Sequence, residues 1–333
     1  MATQPHPTQP RALVTGITGQ DGSFLAELLL GKGYEVTGMI HRPATERLGS
    51  AEHLRDRLAL IHGDLLDPES LARAVAQLTP DELYHLASPS FVPESWQQPA
   101  RTLAAIAGST ATLLEATRDH SPSTRMFVAA SGAVFGAAPE SPQHEDTPCR
   151  PQTPYATAKL AAHQLVAQMR DHDGLFACSG ILYNHESERR PESFVSRKIT
   201  RGAAAIKLGL TDEVVLGDLD AVRDWSFAGD IMEGAWLTLQ QQRPADYILA
   251  SGIPHTVREL AIVAFGRLGL NAEEHVRVDA SLQREPEATA QVGDASRARG
   301  QLGWRPTLGF EQLVHRMVDA DLRDLEQRSI ASA

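Results

Sequence analysis

Ser131, Tyr155 and Lys159 are the residues of this chain whose types and spacing could do chemistry. The run before Ser131, Arg125-Met126-Phe127-Val128-Ala129-Ala130, is brief and apolar, and reads as a buried strand. Ser131 then falls at that strand's carboxyl end, where open parallel sheets bind ligands. Tyr155 and Lys159 are four apart in a helical segment and share one face of it. A phenol ordinarily titrates at about pH 10, and a neighbouring ammonium favours the phenolate. Such a phenolate can take a proton from an alcohol while the serine hydroxyl holds the same oxygen. Taken alone the pair is weak, since a surface lysine beside a half-buried tyrosine arises by chance in many helices. Its meaning depends on how the chain begins.

The chain begins with a short apolar strand, Ala12-Leu13-Val14-Thr15, followed by Gly16-Ile17-Thr18-Gly19-Gln20-Asp21-Gly22 and an amphipathic helix from Ser23 to Leu30. Glycines at every third position between a strand and a helix point to dinucleotide binding. Gly16 permits the tight turn, Gly19 lets backbone amides approach a pyrophosphate, and Gly22 allows close helix packing. The diphosphate would sit on the helix's positive end. Hydride transfer to a nicotinamide ring would then accompany the proton step at Tyr155. Glu35–Ile40 is the next strand, followed by His41-Arg42. NAD-binding chains usually place an acid there for the ribose hydroxyls. Arg42, with Arg47, suits a 2′-phosphate instead, so NADP is favoured over NAD.

The third strand is Leu58–Leu65, with Asp64 at its end placed to meet an adenine amino group. The fourth is Leu83–Ser88, whose small tail leaves room for a ribose and phosphate. A helix over Ala104–Arg118 leads to the strand ending at Ser131, and Phe176–Leu182 is the sixth strand. Strands alternating with helices predict an α/β, doubly wound parallel (Rossmann) sheet over 11–183, with 224–250 partly returning to it. A smaller carboxyl-terminal α/β substrate domain would span 184–330, with helices at Val257–Leu268 and Leu313–Leu325.

At 333 residues the chain suits one large domain with a smaller second one. Its 42% hydrophobic and 22% charged content is that of an ordinary globular protein. A net charge of −11 argues against nucleic acid and against an anionic membrane as partners. No apolar run is long enough to span a bilayer. Residues 1–10 hold three prolines and no signal pattern, and read as a disordered leader. Cys149 and Cys178 show neither metal spacing nor a disulfide framework, which suits reduced thiols in the cytoplasm, and no metal site is expected.

Beyond Asn184 the chain becomes locally basic, with Arg189, Arg190, Arg197, Lys198, Arg201, Lys207, Arg223 and Arg284. Arginine forks suit phosphate, yet in an acidic chain about half of such charges would pair with neighbouring acids. His185 in a strand-end loop reads as a structural hydrogen-bonder, and Trp225 and Trp304 read as packing residues.

Taken together these residues resemble the extended short-chain dehydrogenase/reductase superfamily, and within it the GDP-mannose 4,6-dehydratases. The closer resemblance is carried by Gly16–Gly22, Leu182-Tyr183-Asn184-His185-Glu186-Ser187, Phe194-Val195-Ser196-Arg197-Lys198-Ile199, Arg223-Asp224-Trp225 and Leu302-Gly303-Trp304-Arg305-Pro306. It covers about Arg11 to Leu325. It implies NADP(H), a GDP-linked nucleotide-diphosphate sugar, and a homodimer or homotetramer. Cofactor contacts are implied at Gly16, Thr18, Gly19, Gln20, Asp21, Gly22, Arg42, Asp64, Leu65, Leu86, Ala87, Ser88, Tyr155, Lys159, Leu182, Asn184, His185 and Arg190. Substrate contacts are implied at Ser90, Val92, Glu94, Ser131, Gly132, Ala133, Asn184, Val195, Lys198, Leu216, Arg223, Arg284 and Glu287. The sugar is expected in a crevice between the two domains.

Two departures bear on the reaction. Val222 stands where that family usually has lysine before Arg-Asp-Trp. More consequentially, the dehydratases carry Thr-Ser-Glu where this chain has Ser131-Gly132-Ala133. In them the glutamate removes the C5 proton and helps expel the C6 hydroxyl, and Ala133 can do neither unless another acid such as Glu94 reaches in. The surviving groups suffice for reversible oxidation of one carbinol, most simply at C4. Ser131-x-x-Val134-Phe135-Gly136 also resembles sugar epimerases and 4-keto-reductases, and Ser90–Ser95 with Pro99–Leu103 resembles the GDP-4-keto-6-deoxymannose reductases. The leading expectation is an epimerase acting by transient oxidation at C4. The alternatives are a 4-keto-6-deoxy sugar reductase, a dehydratase with an altered active site, and a non-catalytic nucleotide-binding relative.

Overall fold

The computed structural model describes residues 9–41, 47–282 and 289–332. Arg42, Arg284, Glu287 and most of the expected leader therefore lie outside the described residues. In chain order the first elements are β1 (Arg11–Thr15), α1 (Gln20–Gly31), β2 (Glu35–Ile40), β3 (Ala59–His62), α2 (Pro68–Leu78), β4 (Glu82–His85), α3 (Val92–Gln97) and α4 (Pro99–Leu103). A single π turn, Ala104–Gly108, leads into α5 (Ser109–His120), β5 (Arg125–Ser131), α6 (Pro154–Asp173) and β6 (Ala177–Leu182). There follow β7 (Asn184–Glu186), α7 (Val195–Lys207), β8 (Val214–Leu216), β9 (Val222–Phe227), α8 (Ala228–Leu239) and β10 (Tyr247–Leu249). The last are β11 (Pro254–Thr256), α9 (Val257–Arg267), α10 (Ala272–His275), β12 (Val276–Val278), α11 (Ser296–Gln301) and α12 (Phe310–Ser332).

Seven strands form one sheet in the order β10-β6-β5-β4-β1-β2-β3. The sheet is parallel, with Leu13 opposite Thr37 on one side and Leu83 on the other. Strand order reverses at β1 and β4, the point at which such sheets bind ligands. This is the expected doubly wound fold. Its helices have local causes. The Asp67 carboxylate accepts from the Glu69 and Ser70 amides to cap α2, and the Thr153 hydroxyl caps α6, with Pro154 preset for its first turn. Gly174, left-handed at φ 71°, ends α6.

Two compact units divide the chain. One comprises Met1–Val134, Pro151–Ile181 and Met232–Tyr247; the other comprises Phe135–Arg150, Leu182–Ile231 and Ile248–Ala333. The sequence expectation ran the first unit unbroken from 11 to 183, whereas 135–150 packs with the second. There the Gln143 amide reaches the Ala290 carbonyl and its side-chain oxygen accepts from the Tyr183 hydroxyl. The first unit's core gathers Leu13, Leu71, Leu83, Leu113, Met126 and Val166. The second unit's core gathers Ile199, Trp225, Leu260, Phe265, Leu313 and Met317 around the sheets β11-β9-β7 and β12-β8.

Three element expectations are corrected. The helix expected over 104–118 is interrupted by the π turn, where the Ser109 and Thr110 hydroxyls donate back to the Ala105 and Ile106 carbonyls. The third strand ends at His62, because the Asp64 carboxylate caps the following turn at Leu66. The fourth ends at His85, because the Leu86 and Ala87 amides turn to the Thr15 hydroxyl. Trp225 and Trp304 are packing residues as expected, with Trp304 only 1% exposed and its indole N–H on the Asp230 carbonyl. Among the described residues no helix is long and apolar enough to cross a membrane, and no cluster is set to hold a metal.

Candidate active site

A backbone bond closes the turn after β1. The Gly19 N–H donates to the Gly16 carbonyl at 3.0 Å. Gly16 lies at φ +75°, and a Cβ there would stand 2.8 Å from the Ala87 nitrogen. A Cβ on Gly22 would stand 2.3 Å from the Gly16 oxygen, with no flexible side chain to yield. Gly19 caps α1 without a side chain, and Asp21 is the acidic residue of the helix's first turn. This cradle fits a dinucleotide diphosphate. Gly22→Ala is expected to destabilise the protein by about 1–3 kcal/mol through overpacking, read as a lower urea midpoint together with weaker cofactor binding. An unchanged midpoint would contradict this packing.

Ser131 is the last residue of β5, and its Oγ accepts from the Ala133 N–H at 3.2 Å. Tyr155 stands in the first turn of α6, its ring packed against Ile106, Ala158 and Ala162. One turn on, Lys159 is 5% exposed and its Nζ donates to the Ala129 carbonyl at 2.8 Å. That bond ties the turn bearing Tyr155 to the strand bearing Ser131. The ammonium lies 5.9 Å from the Tyr155 ring centre. Burial pushes the Lys159 ammonium down to about 8, opposed by the negative charge of Asp21 in the first turn of α1. Near neutral pH the ammonium remains the main form. The three expected catalytic residues thus fall on adjoining elements of one unit.

The other expected positions in this unit follow β1, β3, β4 and β5 or lie at the start of α3. Thr18 is exposed and its carbonyl accepts from the Ser50 amide; Gln20 is buried and donates to Asp21. Leu65, Leu86, Ala87 and Ser88 are half-buried in the turns that follow β3 and β4. Ser90 and Glu94 are exposed, Val92 opens α3, and Gly132 is buried beside the half-buried Ala133. Sequence reasoning passed over Thr15 and His85, buried polar residues at the ends of β1 and β4. The available signal was a histidine inside the apolar run Leu83-Tyr84-His85-Leu86.

In the second unit the basic cluster separates into paired and exposed charges. Arg190 pairs with Glu186 at 3.2 Å and stacks on Phe194, Arg197 pairs with Asp321 at 2.6 Å, and Arg201 pairs with Asp324 at 2.8 Å. Lys198 is exposed on α7 and makes no ion pair among the described residues. Arg223 is half-buried on β9 and donates to the Val222 carbonyl. Asn184 lies opposite Trp225 on the neighbouring strand, and Val195 opens α7 partly exposed. Leu182 and Leu216 are buried, Leu216 at 2% exposure within the core, so its side chain serves packing. The His185 ring bonds the Tyr183 carbonyl at 2.7 Å, in keeping with a structural role.

A reversing parallel sheet, a glycine turn and a serine, tyrosine and lysine set at the ends of β5 and α6 define an extended short-chain dehydrogenase/reductase. Comparison with known proteins narrows the class. The family profile described as GDP-mannose 4,6 dehydratase matches residues 13–317, and the chain belongs to that family. It is 46% identical to GDP-mannose 4,6 dehydratase 2 of Arabidopsis thaliana over 94% of this chain and 88% of that one. It is 38% identical to GDP-mannose 4,6-dehydratase of Yersinia enterocolitica over 97% and 96% of the two. Among solved structures, RMD from Pseudomonas aeruginosa complexed with NADPH is 27% identical, with a TM-score of 0.79 over 95% of this chain and 100% of that one. A UDP-glucose 4-epimerase of Thermus thermophilus in complex with NAD is 26% identical, with a TM-score of 0.80 over 93% and 98%.

Proposed function

We propose that this enzyme is an NADP-dependent epimerase of a GDP-linked sugar, acting by transient oxidation at C4. The observation that carries the reading is the set Ser131, Tyr155 and Lys159 on adjoining elements, with the methyl group of Ala133 two residues beyond the serine. Tyr155 takes the proton of the 4-hydroxyl, Lys159 favours its phenolate, and Ser131 holds the same oxygen. The bound nicotinamide supplies the chemistry of accepting the C4 hydride and returning it. Return to the other face of the keto sugar inverts the centre with no net redox change. Ala133 offers no acid or base for removing the C5 proton.

The choice of NADP is supported by His41-Arg42 after β2, where no acid stands, and by NADPH in the Pseudomonas structure. Gly16, Gly19 and Gly22 would hold the diphosphate, while Lys198 and Arg223 would meet the phosphates of the nucleotide sugar. Cys149 and Cys178 are both free thiols, in keeping with a cytoplasmic setting, and the family resemblance supports a homodimer or homotetramer.

The second reading is 4,6-dehydration with a different acid, favoured by the names of relatives at 46% and 38% identity. Incubation of the purified protein with GDP-mannose and its heptose analogues, followed by proton NMR and the near-ultraviolet absorbance of reduced nicotinamide, separates the outcomes. A stereoisomer formed without added NADPH is expected. A 4-keto-6-deoxy product would establish dehydration, and NADPH consumption restricted to a 4-keto sugar would establish reduction.

A further inference from the structure

We propose that His85 is a positioning residue: as a neutral ring with its proton on Nε2, it relays hydrogen bonds from the turn after β4 to the π turn before α5. Its place supports this. Thr15 and His85 are register partners at the carboxyl ends of β1 and β4, where the strand order reverses. The proposal rests on the reading that a nicotinamide cofactor binds at this reversal.

The direction of the relay follows from which groups can only accept. The Ser109 Oγ lies 2.7 Å from the Ala105 carbonyl, so its proton goes there. Ser109 Oγ must then accept from His85 Nε2, 3.1 Å away, which places the ring proton on Nε2. His85 Nδ1, 2.9 Å from the Thr15 hydroxyl, is left to accept from it. Thr15 Oγ1 keeps its lone pairs for the Leu86 and Ala87 N–H groups, both at 3.1 Å. A second ring proton would face an oxygen that already accepts twice. Burial, reinforced by the positive charge of Lys159, holds the ring down to about 3 and agrees with the neutral form.

Both ends of the relay matter for catalysis. At one end, the Ala87 backbone is the wall that a Cβ on Gly16 would strike. At the other, Ala105 adjoins Ile106, which packs with Ala158 and Ala162 against Tyr155. The same ring thus fixes the wall of the glycine turn and the surface on which the tyrosine rests.

Nitrogen-15 NMR of histidine-labelled, cofactor-free wild-type protein should show His85 as the Nε2–H tautomer, without titration between neutral and mildly acidic pH. An Nδ1–H tautomer, or a midpoint in the ordinary histidine range, would overturn the proposal. His85→Leu should raise hydrogen exchange at the Leu86 and Ala87 amides, and the NADPH dissociation constant, each by roughly tenfold or more. His85→Asn, which keeps a donor and an acceptor, should recover part of both. Wild-type exchange and affinity in His85→Leu would reject the role. Failure of the wild type to bind either NADPH or NADH would instead sink the cofactor reading, leaving the tautomer and the amide exchange to judge the relay.

Discussion

Tyr155→Phe is expected to lower turnover by roughly 10²–10⁴-fold, the usual worth of a positioned general base. Cofactor affinity should stay within about fivefold, because the change deletes one hydroxyl whose bond to a cofactor is worth about 1 kcal/mol. The phenyl ring keeps its packing on Ile106, Ala158 and Ala162, and the Lys159 bond to the Ala129 carbonyl is untouched. The loss should therefore fall on kcat, with the melting temperature close to that of the parent. Stopped-flow absorbance of the nicotinamide with a GDP-sugar, paired with a direct NADPH titration, separates the two quantities. Turnover at the parent rate would remove Tyr155 as the base. Lost NADPH binding would mean that the hydroxyl serves the cofactor instead.

Parts of this arrangement could be read from the chain because their causes are local. β1, β2 and β5 are short apolar runs bounded by turn residues, and α6 carries its own cap in Thr153 and Pro154. Ser131, Tyr155 and Lys159 stood out since the glycine turn gave their spacing a meaning. What stayed hidden needed partners far away in sequence. β4 stops short because the Thr15 hydroxyl, about 70 residues earlier, draws off the Leu86 and Ala87 amides. Thr15 and His85 acquire a role only when β1 and β4 lie side by side. That about half of the basic cluster would pair with acids was legible, but not which members: Arg197 and Arg201 find Asp321 and Asp324 on α12, more than 120 residues on. The π turn is set by hydroxyls bonding back to their own helix, a choice that periodicity does not register.

Ala133→Glu should raise 4,6-dehydration of GDP-mannose by roughly 10²–10³-fold over the parent, within the range that a positioned acid–base group supplies. The argument turns on where the new carboxylate would begin. Residue 133 lies two positions beyond Ser131, and its N–H is bonded to the Ser131 hydroxyl oxygen, so its Cβ leaves the chain beside the group proposed to hold the sugar oxygen. Ala133 is half-buried, between the buried Gly132 and Val134, so the added side chain is not forced into a closed core. Once C4 is oxidised, the C5 hydrogen is acidified by the adjacent carbonyl, and a carboxylate in reach can remove it and protonate the departing hydroxyl. With the hydride taken from C4 delivered to C6 and a proton returned to C5, the 4-keto-6-deoxy product would show a methyl doublet in the proton spectrum that an epimer lacks. If the parent already makes this product at a rate the variant does not exceed, another residue supplies the acid, and inversion at C4 is no longer the best account of these residues.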